Sequence, residues 1–101
     1  MALLPSTKIC GTAVTSTDGT ALGTITEVMI DHDTGAIGYA VLAHGGVLGV
    51  GEKLFAVPWT EFIVDPVAGA LMLNVGPAAL DSAAGIDKDA WPAQTPDVWL
   101  R

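Results

Sequence analysis

Turn signals interrupt this chain at intervals too short for a long helix to fit between them. Asp18-Gly19 separates an apolar stretch at residues 13–17 from another at 21–31. Asp33-Thr34-Gly35 precedes the apolar run 37–43, a glycine-rich connection occupies 45–51, and Asp65-Pro66-Val67-Ala68-Gly69 precedes 70–75. Glycine supplies positive φ at such places, proline fixes φ, and aspartate bonds to nearby backbone, so each cluster turns the chain. The stretches 54–59 and 62–64 complete the set. Short apolar runs at this spacing predict about six strands closing a sandwich or small barrel. The expected class is all-β, with antiparallel pairing.

The phase of the apolar residues adds detail. In residues 22–31 the side chains expected inside are Leu22, Ile25, Val28 and Ile30. Strand side chains alternate with a period of two, but Ile25 to Val28 is a step of three. A β-bulge near Thr26-Glu27 restores the phase and bends the strand. The run 37–43 is apolar on both faces, with Ile37, Tyr39 and Val41 on one and Ala40 and Leu42 on the other. A strand buried on both sides reads this way. Its second face is expected to meet another subunit or the C-terminal segment.

Residues 34–51 carry no formal charge and approach the length of a membrane span. Six glycines fall within them, Gly45-Gly46 adjacent, so a strand followed by a glycine loop is expected and a spanning helix is not. The N-terminal residues lack the basic region and long apolar stretch of a signal peptide, which makes a cytoplasmic location the expectation. Cys10 is the one cysteine, so neither an internal disulfide nor a cysteine metal cage is open to the chain. Lys8-Ile9-Cys10-Gly11 reads as strand-like, with Cys10 a small buried apolar residue.

Beyond residue 76 the composition changes. Gly76-Pro77 breaks the last strand, residues 77–84 suit a short helix with proline in its first turn, and Gly85 ends it. Residues 87–101 contain Pro92, Pro96, Trp91 and Trp99 and are expected to form an extended arm. Half the residues are hydrophobic, 15% are charged and the mean hydropathy is +0.51. A small domain with that excess is expected to bury apolar surface outside its own core, in a homo-oligomer or against a protein partner. The candidate interface residues are Tyr39, Val41, Trp91, Val98 and Trp99, since aromatic anchors dominate contact energetics. With 4 basic against 11 acidic residues, net −7, the chain would be repelled by phosphate backbones, so direct nucleic-acid binding is not expected.

Several segments in order carry a family pattern: Gly11-Thr12-Ala13-Val14, Asp18-Gly19, Leu22-Gly23-Thr24-Ile25, Val28-Met29-Ile30-Asp31, Thr34-Gly35, Tyr39-Ala40-Val41, Gly45-Gly46-Val47-Leu48-Gly49 and Val57-Pro58-Trp59. Together they resemble the PRC-barrel domain over residues 7–76, leaving 77–101 as a C-terminal helix and arm. The resemblance implies a six-stranded antiparallel barrel used for protein–protein contact. It implies no catalytic site, since the family has no common one.

Read for chemistry, the chain offers little. Asp31, His32, Asp33, Thr34 and Gly35 begin like a calcium loop, but the fifth and twelfth positions hold Gly35 and Leu42 where ligands are wanted. An aspartate-stabilised turn is the better reading. The glycine loop from Gly45 to Gly51 is followed by a strand, so a phosphate there would lack the helix N-terminus on which such sites depend. Ser6, Ser16 and Ser82 fit no nucleophile elbow. His32 and His44 are the two histidines; His44 reads as a polar group at a strand end, and Trp59 as core or barrel-lid packing. The expectation is therefore a non-catalytic interaction or assembly module with no cofactor or metal. The alternative is a small-ligand or metal-binding barrel using the turn from Asp31 to Gly35 or the loop from Gly45 to Gly51.

Overall fold

The computed structural model describes residues 6–45, 52–64, 70–83, 85–86 and 91–93. Its elements, in chain order, are helix α1 (Ser6–Ile9), strands β1 (Ala13–Ser16), β2 (Ala21–Ile30), β3 (Ile37–His44) and β4 (Lys53–Pro58), a 3-10 turn (Trp59–Glu61), strands β5 (Ile63–Val64) and β6 (Leu71–Leu73), and helix α2 (Pro77–Ser82). The strands form one six-stranded sheet in the order β4-β3-β2-β1-β6-β5. Its two edge strands, β4 and β5, are chain neighbours joined by only four residues. Four residues reach about 17 Å at most, so the sheet curls into a half-barrel.

The sheet is mixed, which corrects the antiparallel expectation. β1 pairs with β6 in parallel, Val14 beside Leu71 and Ser16 beside Leu73, while the other four pairings are antiparallel. The cause lies in residues 59–62. A hairpin would reverse the chain there, but the 3-10 turn carries it onward, and β5 runs in the same sense as β4. The parity shifts by one, and β6 returns parallel to β1.

The bulge expected near Thr26 is present. Ile25 pairs with Leu42 and Glu27 with Val41, leaving Thr26 as the extra residue. A second irregularity was not legible in the apolar pattern. Met29 pairs with Tyr39 and Ile30 with Ile37, so Gly38 is skipped. That slip changes the face of Ile37. Ile37 joins the inner cluster with Ala40 and Leu42 and parts from Tyr39 and Val41. Ile30, expected inside, is instead 59% exposed.

The barrel interior holds Val14, Leu22, Ile25, Leu42, Phe55, Val57, Leu71 and Leu73, all buried. Each large apolar side chain removed from water contributes about 1.5–3 kcal/mol. Trp59 and Phe62 cover one end, their rings 5.5 Å apart. From the other side α2 places Leu80, fully buried, into the same cluster. Pro77 sits in the first turn of α2, where a proline lacks no useful donor. The first segment corrects its strand-like reading: residues 6–9 are helical, and Gly11 at φ 89° turns the chain into β1. Cys10 follows that helix as a free thiol of intermediate burial.

Gly23 is fixed by close approach. A Cβ there would lie 1.9 Å from the carbonyl oxygen of Ala43. Only glycine lets β2 pass β3 at this distance.

Candidate interaction surface

The alternation along β3 divides its side chains between two clusters. Ala40 and Leu42 point into the barrel, and Tyr39 and Val41 point out. On the outer face Tyr39, Val41 and Ala56 form a second buried cluster, with Met29, Leu54 and Ile86 packed against it. A three-residue outer cluster can be dry only if something lies over it. That cover is the chain itself. After α2, Gly85 turns with φ 76°, and the Ile86 amide donates to the Leu54 carbonyl at 2.6 Å. The chain returns at Trp91, Pro92 and Ala93, where the Tyr39 hydroxyl donates to the Pro92 carbonyl at 2.6 Å. Burial raises the Tyr39 phenol above its ordinary 10.0.

Of the five candidate interface residues, the structure places three. Tyr39 and Val41, 3% and 0% exposed, are covered by residues of their own chain, and Trp91 is 39% exposed. Val98 and Trp99 lie outside the described residues. Beside the covered cluster runs a groove of about 700 Å³, lined by Val28, Met29, Tyr39 and Pro92 and by the polar Asp31, His32 and Asp33. Ile30 lines it as well. Sequence phasing placed Ile30 inside because its exposure comes from its place at the end of β2, which leaves no mark on the apolar pattern.

The turn at residues 31–35 borders this groove. Its polar groups serve the turn itself. The Asp33 amide donates to Asp31 Oδ1 at 2.9 Å, and the Ala36 amide to Thr34 Oγ1 at 3.2 Å. The Gly35 amide donates to the Asp31 carbonyl, closing the loop. His32 stands 3.4 Å from Asp33, both in solvent. Among the described residues no three His, Cys, Asp or Glu side chains come together as a metal-binding group. In the glycine loop Gly45 has φ 75°, and residues 46–51 lie outside the described residues.

His44 differs from its sequence reading. It does end β3, but it is buried, 7% exposed, with both ring nitrogens engaged. Among the described residues no helix is long and apolar enough to cross a membrane.

Comparison with known proteins agrees with the architecture. No curated protein matches the chain significantly. The profile of the PRC-barrel domain matches residues 1–80, which includes all six strands and most of α2. The sheet order, the inner cluster and this match over most of the sequence place the chain in the PRC-barrel domain family.

Proposed function

We propose that this PRC-barrel is a non-catalytic assembly module that pairs with a second copy of itself through the groove beside Tyr39. The observation that carries this reading is the juxtaposition of a concave groove, apolar along Val28, Met29, Ile30 and Pro92 and polar where Asp31, His32 and Asp33 line it, with two exposed large apolar side chains, Ile30 at 59% and Trp91 at 39%. Trp91 adjoins Pro92 in the groove wall. A hollow and an anchor on one surface are what a two-fold pair exchanges, each copy filling the other's groove. Tryptophan and large aliphatic anchors in such pockets supply most of the energy in protein contacts. The composition supports the same reading, since a chain that is half hydrophobic and only 15% charged gains from covering surface its own core does not reach.

The turn at residues 31–35 favours this reading over a metal or small-ligand site, because Asp31 Oδ1 and Thr34 Oγ1 accept bonds from their own backbone. Static light scattering of the full chain at micromolar concentration tests the proposal. A dimer or higher oligomer is the expected result, and a strict monomer overturns it.

A further inference from the structure

The end of α2 is held by two cationic-type side chains on neighbouring strands. Lys53 at the start of β4 donates from Nζ to the carbonyl oxygens of Asp81 and Ala83, the second at 2.9 Å. His44, its direct cross-strand partner at the end of β3, reaches the same helix from the other side. Nδ1 of His44 lies 2.5 Å from the Leu22 carbonyl, and Nε2 lies 2.7 Å from Asp81 Oδ1. A carbonyl oxygen only accepts, so Nδ1 must carry a hydrogen. In a neutral ring Nε2 is then an acceptor, and an ionised carboxylate is an acceptor too. Two acceptors do not hold each other at 2.7 Å, so the contact is complete only with one more proton on the pair.

We propose that His44 and Asp81 form a proton-operated latch that pins the end of α2 and, through it, the return of the chain over the outer face of β4. The groups facing the imidazole come from three elements. Asp81 on α2 favours the added proton, and Lys53 on β4 opposes it. β2 offers the Leu22 carbonyl, and the Phe55 ring stands 6.5 Å away, edge on. Asp81 keeps 72% of its side chain in solvent, so the latch exchanges its proton directly with water.

What the latch controls follows from chain order. Ala83, buried, comes directly after α2, then Gly85 turns and Ile86 bonds to Leu54. Ile86 is the first residue of the cover over Tyr39, Val41 and Ala56. If α2 slackens at Asp81, the anchor of that cover loosens with it. This deepens the assembly reading by giving the covered face a switch, but the latch itself does not depend on any partner binding there.

The test uses the full chain labelled with 15N at histidine, followed by NMR between pH 5 and 8, with amide exchange of Ile86 measured in the same range. His32, its side chain 95% exposed, is the internal reference. At the acid end both ring nitrogens of His44 should carry hydrogens. As Nε2 loses its proton, Ile86 exchange, corrected for its intrinsic rate, should accelerate. Asp81→Asn keeps the partner but makes it a donor to a neutral Nε2, so the contact no longer needs the proton. In that variant Ile86 protection should be flat across the range. The latch is overturned if Nε2 is unprotonated throughout, if Ile86 protection ignores the His44 titration, or if Asp81→Asn keeps the wild-type pH dependence. A monomeric protein passing these tests would sink the assembly reading and leave the latch intact.

Discussion

The Tyr39 hydroxyl and the Pro92 carbonyl meet at 2.6 Å across 53 residues of chain, tying the far end of the sequence to the middle of the sheet. Tyr39 is the only tyrosine in the sequence, so its phenolate absorbance reports this one contact. Burial holds the phenol above 10.0. An unfolded tyrosine ionises first, so the folded state keeps its proton longer. Stability is therefore full below pH 10 and falls as pH rises beyond it. Spectrophotometric titration should give a midpoint above 10 for the full chain. Deleting residues 91–101 should return it toward the ordinary value, and Tyr39→Phe should cost about 1 kcal/mol in denaturant unfolding.

The β1–β2 hairpin makes the opposite pH prediction. The Ser16 hydroxyl donates to Asp18 Oδ1, and the Thr20 amide donates to the same oxygen at 3.0 Å. These bonds, that from Ser16 first and those from Thr20 next, lower the Asp18 carboxyl from 3.8 to about 2. A lowered carboxyl gives stability that is present above 3.8 and is lost as pH falls toward about 2. In thermal melts, Asp18→Asn should lie below wild type at pH 5, and the gap should close between pH 4 and 2. A gap that is constant with pH would assign the effect to turn geometry alone.

Gly85 should tolerate no side chain. It holds φ 76°, and a Cβ there would come within 2.8 Å of the Leu54 carbonyl that accepts the Ile86 bond. Left-handed strain and the clash act together, each costing about 1–3 kcal/mol. Gly85→Ala should lift Ile86 from β4 while leaving the barrel interior folded. Hydrogen exchange should show lost protection at Ile86 and retained protection in β1 and β2.

Much of this architecture was readable because its causes are local. The Asp-Gly and Asp-Thr-Gly turns set strand limits within a residue or two, and the three-residue step from Ile25 to Val28 marked the bulge at Thr26. The resemblance over residues 7–76 lies within the 1–80 that the family profile matches. What stayed hidden depends on pairing. The parallel β1–β6 contact follows from a turn at residues 59–61 that fails to reverse the chain, and nothing in Trp-Thr-Glu announces that. The slip at Gly38 moves Ile37 into the inner cluster, while Ile30 stands exposed at the last position of β2, an end effect that apolar phasing does not see. The role of His44 was equally invisible, since Asp81 meets it from 37 residues away. The two-faced β3 was legible, and the structure answers what covers its second face within the described residues: Ile86 packs there, and Pro92 bonds to Tyr39.

The assembly reading turns on Ile30. It is the most exposed large apolar side chain among the described residues, at 59%, and it lines the groove. Ile63, at 45%, is a matched control, because it lies on β5 at the sheet's edge and not in the groove. Surface substitutions of this kind change folding stability by about 0.5 kcal/mol or less, so Ile30→Glu and Ile63→Glu should both fold. Burying an isoleucine in a contact contributes roughly 1.5–3 kcal/mol, and a two-fold pair buries it twice. Replacing it with a charge also sets two carboxylates facing one groove each, in a chain already at net −7. Ile30→Glu should therefore weaken self-association by about a hundredfold or more, the ratio that 3 kcal/mol represents. Sedimentation equilibrium should show that variant as a monomer at concentrations where wild type and Ile63→Glu remain assembled. Equal loss in both variants would move the contact to the β5 edge. No loss in Ile30→Glu would remove the groove from the interface.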